Sequence, residues 1–415
     1  MKKCLHIIAC SCLLFLFFGA PARAEFSTPA RSAFLVDVQS GMAIVAKDAD
    51  EPMPPSSMLK LMTLDIVFGA LKSGELKMDE MLPVSANADY QNPIWKQASK
   101  ICLSRGQKIS VNDAVMGLIV LSGGDAAVVV AEKLAGGESA FAARMQARAR
   151  EIGMTRSTFG NAHGLPDPNN LMTSRELAML AQHIITAFPE YYPLFATKRF
   201  EFGHYDSEWC AQWGRTHTIN YNKLLFIMPG SDGMKTGHTD GGGYGMVASS
   251  KIGGRRLIGV INGLRAKSHD DLAREMKKLL EYGYANTANR VFYNPGDAVV
   301  KIPVWYGRAD TVTATVAQTF AVTLARGSVA SPPSGGGVSA EGGRGGAPSN
   351  NIRIIARYNT PALAPIRAGD KLGEIVAEQD GQIVATAPLI AAERVGKVQL
   401  FARMWQNVKV IFGMK

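Results

Sequence analysis

Cysteine is scarce in this chain and unevenly placed. Of the 5 cysteines in 415 residues, three lie within the first twelve positions, which leaves Cys102 and Cys210 for the rest of the chain. Two cysteines cannot supply the dense disulfide framework that holds small secreted scaffolds together. Whether these two form one bridge or stay as buried thiols is left open, because the sequence says nothing about their separation.

Motifs for metals, phosphates and nucleic acids are also missing. The histidines at 163, 183, 204, 217, 238 and 269 show no paired ligand spacing, and no His-Glu-x-x-His occurs. His163 is interpreted as a structural hydrogen-bonding residue, and the glycines at 241–243 as a turn into a strand. The formal net charge is +10, but zinc-finger spacing, aromatic RNA-binding signatures and long basic runs are absent. We therefore expect no metal, no cofactor and no nucleic-acid partner.

One long apolar run is present, at the beginning of the chain. Two lysines precede it, residues 4–19 are apolar, and Ala-Arg-Ala follows at 22–24. This order is typical of a secretory signal peptide, so we expect residues 1–24 to be removed and the mature chain to start at Glu25. A membrane anchor is the alternative, although the run is short for a bilayer span.

The remaining sequence has the composition of one large or two medium globular domains, with 47% hydrophobic and 19% charged residues. Residues 33–46 predict a β-hairpin, and helical periodicity follows at 59–71, 111–134, 141–152 and 174–187. Strand patterns return at 244–249 and 256–262, followed by a helix at 269–282. The pattern predicts a mixed α/β domain over 25–290, with a helix cluster inserted between its early and late strands.

After about residue 290, short strand-like segments replace the helical periodicity. Short strand-like segments such as 298–306, 311–323 and 352–358 predict a small all-β domain over 291–392. A stretch rich in Gly, Ser, Pro and Ala near 327–350 interrupts it and is expected to form a flexible loop. The tail at 393–415 spaces Val, Phe, Met and Trp residues three and four apart between basic residues. It predicts an amphipathic helix lying on an anionic membrane surface, with an ordinary docked terminal helix as the alternative.

Ser57 and Lys60 stand where the first long helix should begin, directly after two prolines. Residues three apart share one face of a helix, so the lysine amine could reach the serine hydroxyl. A serine becomes nucleophilic when a base takes its proton, and a lysine can act as that base when burial disfavours its ammonium form. This pair alone is weak evidence, because the spacing is common by chance.

Two further segments complete a known trio. A Leu-Ser-Gly-Gly-Asp segment at 121–125 lies in a helix-turn context, and Lys235-Thr236-Gly237 precedes a predicted strand. Ser-x-x-Lys, a Ser-x-Asn type element and Lys-Thr-Gly are the signature of class A β-lactamases and penicillin-binding proteins. With the segments at 159–165, 222–225 and 232–244, the chain resembles the low-molecular-mass penicillin-binding proteins that are serine D-alanyl-D-alanine carboxypeptidases. The resemblance runs from residue 33 to 415.

The resemblance implies a fold and a set of partners. The fold is a transpeptidase-like, β-lactamase-like α/β domain with a central antiparallel sheet, followed by the small all-β domain and the tail helix. The implied activity removes the terminal D-alanine from peptidoglycan stem pentapeptides, with β-lactams as covalent inhibitors. The implied location is the periplasm, at the outer face of the cytoplasmic membrane.

The resemblance also implies the site residues. Ser57 would be the nucleophile, Lys60 its general base, and Ser122 the proton relay to the leaving amine. Lys235 and Thr236 would bind the substrate carboxylate, Gly237 would allow close approach of the strand, and the His238 amide would join that of Ser57 in the oxyanion hole.

Gly124 departs from the family pattern. The family usually has asparagine there, two residues after the second-motif serine, and its side chain hydrogen-bonds near the base and the substrate. We expect weakened activity, with a non-catalytic muropeptide-binding protein as one alternative. A D,D-endopeptidase or a weak β-lactamase of the same fold is the other. The segment at 204–218 is expected to be extra surface beside the pocket, most simply a loop, in which Arg215 or His217 could assist substrate binding.

Overall fold

The structure is a computed structural model that describes residues 26–326, 352–379 and 381–398. The predicted signal peptide, the insertion at 327–350 and all but the first residues of the tail helix lie outside these residues. In the described part of the chain, no helix is long and apolar enough to cross a bilayer.

A five-stranded antiparallel sheet forms the centre of the first half of the chain. Its strands are β1 Ser32–Asp37, β2 Ala43–Lys47, β5 Ser231–Thr239, β6 Gly243–Ile252 and β7 Arg255–Leu264, while β3 Met81–Pro83 and β4 Lys108–Ser110 form a separate short pair. The spatial order is β2-β1-β7-β6-β5, so the predicted early hairpin and the late strands meet in one sheet. Because side chains alternate along a strand, Phe34 and Val36 of β1 enter one apolar core while Leu35 enters a second.

Eight helices of the described chain surround this sheet, and four of them begin at a capping side chain. They are α1 Lys60–Ser73, α2 Val111–Val120, α3 Gly124–Ala135, α4 Glu138–Ile152, α5 Ser174–Ala187, α6 Glu208–Thr216, α7 Leu224–Ile227 and α8 His269–Asn286. Ser110, Thr173 and Ser268 accept backbone hydrogen bonds at the starts of α2, α5 and α8. The helices expected near 59, 141, 174 and 269 are confirmed. The stretch at 111–134 is instead two helices, because the chain turns at 121–123.

Helix α1 runs through the core of the first half. Of its 14 residues, 11 are buried, so the helix is enclosed on nearly every side. It contacts α2, α3, α4 and α5, and Gly74 ends it in a left-handed conformation. This burial fixes the start of the helix, where Lys60 lies, against its neighbours.

The second half is a β region, as the sequence pattern indicates. Its strands are β8 Thr287–Tyr293, β9 Val300–Trp305, β10 Thr311–Val316, β11 Phe320–Ala325, β12 Ile352–Tyr358, β13 Ala362–Leu363, β14 Lys371–Gln379 and β15 Gln382–Ala391. Six of them form a sheet of order β12-β14-β15-β10-β9-β13, and β8 pairs with β11. The predicted domain boundary at 290 falls inside β8, so the domain limits stay a prediction.

Lys235-Thr236-Gly237 lies within β5 and precedes β6, the strand expected at 244–249. Two local expectations are corrected. The segment at 204–218 contains helix α6, capped by Ser207, where a loop was the simplest expectation. The first residues of the predicted tail helix are extended: Val395 is buried and bridges to Ile366. A buried valine in the β core explains why the chain continues the sheet here.

Cys102 and Cys210 form a disulfide with a Cα–Cα distance of 5.6 Å, across a sequence separation of 108 residues. Both cysteines are fully buried. The bridge joins helix α6 to the loop that precedes β4. The question left open by the sequence is thus resolved in favour of pairing.

We predict that the Cys102→Ser/Cys210→Ser variant is less stable by about 2–5 kcal/mol, because the bridge closes a long loop in the unfolded chain. Urea unfolding of the parent with and without reductant, beside the double variant, measures this. Reductant should lower the stability of the parent to that of the variant and leave the variant unchanged. Equal stability of the oxidised and reduced parent would contradict the prediction.

Candidate active site

The first element of the site is the chain entry into α1. Pro54 and Pro55 lead into a 3₁₀ turn, Ser56–Leu59, and α1 follows at Lys60. The Nζ atom of Lys60 lies 2.8 Å from the Oγ atom of Ser57. The three-residue spacing therefore does bring the amine to the hydroxyl, although the turn between them is 3₁₀ and not α-helical.

The Lys60 side chain is almost completely buried from solvent, and this burial changes the pKa of its amine. Burial lowers the pKa of Lys60 to about 7, against a smaller opposing effect of the Asp125 carboxylate. The amine also donates to the backbone carbonyl of His163. A neutral amine is thus accessible at neutral pH, and two acceptors, Ser57 Oγ and the His163 carbonyl, fix its direction.

The second element is the turn between α2 and α3. Ser122 adopts a left-handed backbone conformation, with φ of 57°, which non-glycine residues rarely adopt. Its Oγ accepts a hydrogen bond of 2.9 Å from the Nζ atom of Lys235. Burial, and then the charge of Lys60, lower the pKa of Lys235. The charge of Lys60 therefore disfavours a charge on Lys235.

Asp125 is a buried residue of the site that the sequence analysis quoted without assigning a role. Its carboxylate accepts hydrogen bonds from the backbone amides of Ile101, Cys102, Leu103 and Ala126, at 2.9–3.1 Å. Burial raises the pKa of Asp125, while these four donors favour its ionised form. We call this set of four amide hydrogen bonds the Asp125 clamp. Acidic residues are common in the first turn of a helix, so the sequence gave no signal for it.

The third element is strand β5, which among the described strands pairs with β6 alone and therefore forms an edge of the sheet. It carries Lys235, Thr236, Gly237 and His238. A Cβ atom at Gly237 would lie 2.8 Å from the Pro55 carbonyl oxygen, so only glycine lets β5 approach the Ser57 turn this closely. An edge strand offers backbone donors and acceptors to an extended peptide.

These elements surround one cleft of about 440 Å³. It is lined by Ser57, Ile94, Gln97, Ala98, Ser99, Ser122, Gly164, Leu165, Pro166, Tyr221, Thr236, Gly237, His238, Thr239, Asp240 and His269. Lys60 and Lys235 lie behind the two serines. All seven residues singled out by the sequence thus meet at this cleft.

Several cleft residues were missed by sequence reasoning. His269, the first residue of α8, stacks on Tyr221 with ring centroids 5.1 Å apart. Burial, and then Lys235, lower the pKa of His269 to about 4, so its ring is neutral at neutral pH. Arg215 and His217, which the sequence suggested could assist substrate binding, are absent from the cleft lining, and Arg215 pairs with Glu208 on α6.

In the described part of the chain, no cluster of three or more His, Cys, Asp or Glu side chains could hold a metal ion. His163 uses its ring for structure: Nδ1 accepts from the Leu165 amide at 3.1 Å, and Nε2 lies 3.2 Å from a Glu138 oxygen.

A serine and a lysine on one turn, beside a second serine–lysine pair and an edge strand, define the class as a serine hydrolase that works through an acyl-enzyme. Comparison with known proteins gives the family. Residues 20–266 match the family described as D-alanyl-D-alanine carboxypeptidase, and residues 343–397 match the C-terminal domain of penicillin-binding protein 5. The chain belongs to the D-alanyl-D-alanine carboxypeptidase family, and it is a serine-type carboxypeptidase.

Individual relatives cover nearly the whole chain. The D-alanyl-D-alanine carboxypeptidase DacC of Escherichia coli is 31% identical over 98% of this chain and 95% of its own length. Penicillin binding protein 5 from Haemophilus influenzae superposes with a TM-score of 0.76 at 28% identity, over 90% of this chain and 99% of that one. Penicillin binding protein 6B from Escherichia coli gives 0.64 at 27% identity, over 90% and 98%. The fold is therefore that of penicillin-binding protein 5, with its sheet, its helices and its C-terminal β domain.

Proposed function

We propose that this carboxypeptidase removes the terminal D-alanine of peptidoglycan stem pentapeptides through an acyl-enzyme on Ser57. One observation carries the residue assignment: the Lys60 amine lies 2.8 Å from the Ser57 hydroxyl oxygen, at a cleft walled by an edge strand. An extended peptide that pairs with β5 would bring its scissile carbonyl to this hydroxyl.

In the acylation step, neutral Lys60 takes the proton of the Ser57 hydroxyl as the oxygen attacks the carbonyl of the penultimate D-alanine. The negative charge that develops on the carbonyl oxygen is received by the backbone amides of Ser57 and His238. The C–N bond to the terminal D-alanine then breaks. The leaving amine receives a proton through Ser122, and an ester joins Ser57 to the shortened peptide.

Lys235 and Thr236 are assigned to the carboxylate of the terminal D-alanine. An anionic group beside Lys235 offsets the burial that disfavours its ammonium form, so binding of the carboxylate and charging of Lys235 support each other. Ser122, which accepts from Lys235 at 2.9 Å, is then next to the leaving group. Water attacks the ester in the second half of the reaction, with Lys60 again taking a proton, and releases the tetrapeptide.

The same acylation explains how a β-lactam would inhibit the enzyme. The strained amide of the drug takes the place of the peptide bond, and its carboxylate takes the place of the D-alanine carboxylate. The amine that leaves stays attached to the acyl group, so it can block the approach of water. We therefore propose that β-lactams bind covalently to Ser57.

The proposal also places the enzyme in the periplasm, attached to the outer face of the cytoplasmic membrane. The signal-peptide pattern at 1–24 and the disulfide between Cys102 and Cys210 support an oxidising compartment. The apolar and basic residues at 399–415 support attachment to anionic lipid.

The nucleophile is tested by mass spectrometry of protein treated with labelled penicillin. We expect an adduct on the peptide that contains Ser57 and its loss in Ser57→Ala, together with release of D-alanine from a pentapeptide by the parent only. Ser56→Ala, in the same turn, is the matched control and should keep the adduct. An adduct of equal yield in Ser57→Ala would contradict the assignment, and cleavage of cross-linked dimers without D-alanine release would favour an endopeptidase.

The general base is tested by the pH dependence of acylation. Lys60 acts in its neutral form, and burial lowers its pKa to about 7. The second-order rate constant with a fluorescent penicillin should therefore be maximal above pH 8 and fall about tenfold per pH unit below pH 6. The drug carboxylate stays ionised over this range. A rate that is constant between pH 5 and 9 would exclude Lys60 as the base.

Membrane attachment is tested by truncation. Because Val395 is buried in the β region, the deletion should begin at 399 and leave that core intact. Each protein is mixed with anionic vesicles and centrifuged. We expect the full chain to sediment with the vesicles and the protein lacking 399–415 to stay in solution. The full chain with Phe401, Trp405 and Phe412 replaced by Ser keeps the charges and should also stay in solution. Sedimentation of the truncated protein would disprove attachment through the tail.

A further inference from the structure

The glycine at position 124, which departs from the family pattern, has a neighbour that explains it. Gly124 is the first residue of α3, two residues after Ser122. A Cβ atom at this position would lie 3.1 Å from Cη2 of the Trp95 ring, and closer still to Cζ3. Real Cβ atoms do not approach aromatic carbons this closely, so any side chain at 124 would displace the indole.

Trp95 has no room to move aside. It is fully buried, and its Nε1 donates to the Asn87 carbonyl at 2.9 Å. It ends a 3₁₀ turn that is capped by the Asn92 side chain. Its own carbonyl accepts from Lys100 Nζ at 2.7 Å. The indole therefore holds the space beside Gly124 in one orientation.

The same ring reaches the general base through one intermediate residue. Trp95 packs edge to face on the His163 imidazole, with ring centroids 5.3 Å apart and planes at 83°. The His163 imidazole is fixed from behind by Glu138, at 3.2 Å from Nε2. The His163 carbonyl accepts from the Lys60 amine. A displacement of the indole would thus move the group that directs Lys60.

We propose that Trp95 is a positioning residue for Lys60, and that Trp95 and Gly124 are a matched pair in which packing of the indole replaces the asparagine side chain usual at this position. The inference rests on the proposed role of Lys60 as general base. It also accounts for a working site without the amide.

The substitution changes what the site can offer a substrate. An amide at 124 would present a donor and an acceptor, whereas the one polar atom of the indole is already bonded to Asn87. Trp95 therefore acts by holding in place the His163 segment, whose carbonyl accepts from the Lys60 amine. Hydrogen bonding to the substrate backbone is left to the β5 edge and the oxyanion amides.

The test uses the full chain and a double-mutant cycle of Gly124→Asn, Trp95→Phe and the two combined. Phenylalanine lacks the outer ring that reaches position 124, so it makes room for asparagine. For each protein, the melting temperature, the acylation rate constant with a fluorescent penicillin and its pH profile are measured. Two substitutions of the same types are the matched controls. Trp209→Phe changes an exposed tryptophan, and Gly137→Asn changes a glycine at which a Cβ atom would meet nothing within 4 Å.

We expect Gly124→Asn to lower the melting temperature by about 5 °C and the acylation rate constant at least about tenfold, because the core is overpacked. Trp95→Phe should move the midpoint of the pH profile upward by about 0.5, because a loosened His163 segment lessens the burial that lowers the pKa of Lys60. The double variant should acylate at least about tenfold faster than Gly124→Asn alone. The two controls should match the parent.

Additive effects of the two substitutions on melting temperature and acylation would overturn the matched pair. The effects on melting temperature could instead be non-additive while the pH midpoint of Trp95→Phe stays unchanged. This result would overturn the positioning role, because packing between positions 95 and 124 alone would explain it. If the proposed function itself is wrong, the result is different: the parent protein would form no adduct at Ser57. The melting-temperature cycle can be read in either case.

Discussion

The site depends on a lysine amine held out of water at the start of a buried helix. Transfer of an ammonium group into an apolar environment is costly, so burial favours the neutral form of Lys60. The burial itself comes from α1, which packs against four other helices and has few exposed residues. The chemistry of the Ser57–Lys60 pair is therefore a consequence of where α1 lies in the core.

Two buried lysines and one buried carboxylate share this region, and their balance decides which lysine is charged. Asp125 attracts Lys60, but the oxygens of its carboxylate already accept hydrogen bonds from four backbone amides, which disperse its charge. The charge of Lys60 lowers the tendency of Lys235 to hold a proton. An anionic substrate that enters beside Lys235 would favour the charge there, and so would keep Lys60 neutral when its basic form is needed.

Sequence patterns predicted the parts of this arrangement that depend on local rules. The Ser57–Lys60 spacing and the main helices follow from periodicity and from the prolines at the helix start, whereas the role of Gly237 was implied by the family resemblance. The Asp125 clamp, the His163 carbonyl and the Cys102–Cys210 bridge could not be predicted, because each joins residues 20 or more positions apart through the fold. The break at 121–123 was hidden for a different reason: apolar residues continue through it, so the helical period persists across a turn.

A packed ring can replace a hydrogen bond only where the wall that carries the ring is rigid. The wall at 95–103 meets this condition in three ways: Asp125 binds its amides, the disulfide joins Cys102 to α6, and Lys100 donates to the Trp95 carbonyl. A flexible wall would let the indole drift and admit water to the base. Loss of the usual asparagine is therefore tolerable here because distant constraints, none of them at the reacting atoms, keep this segment in place.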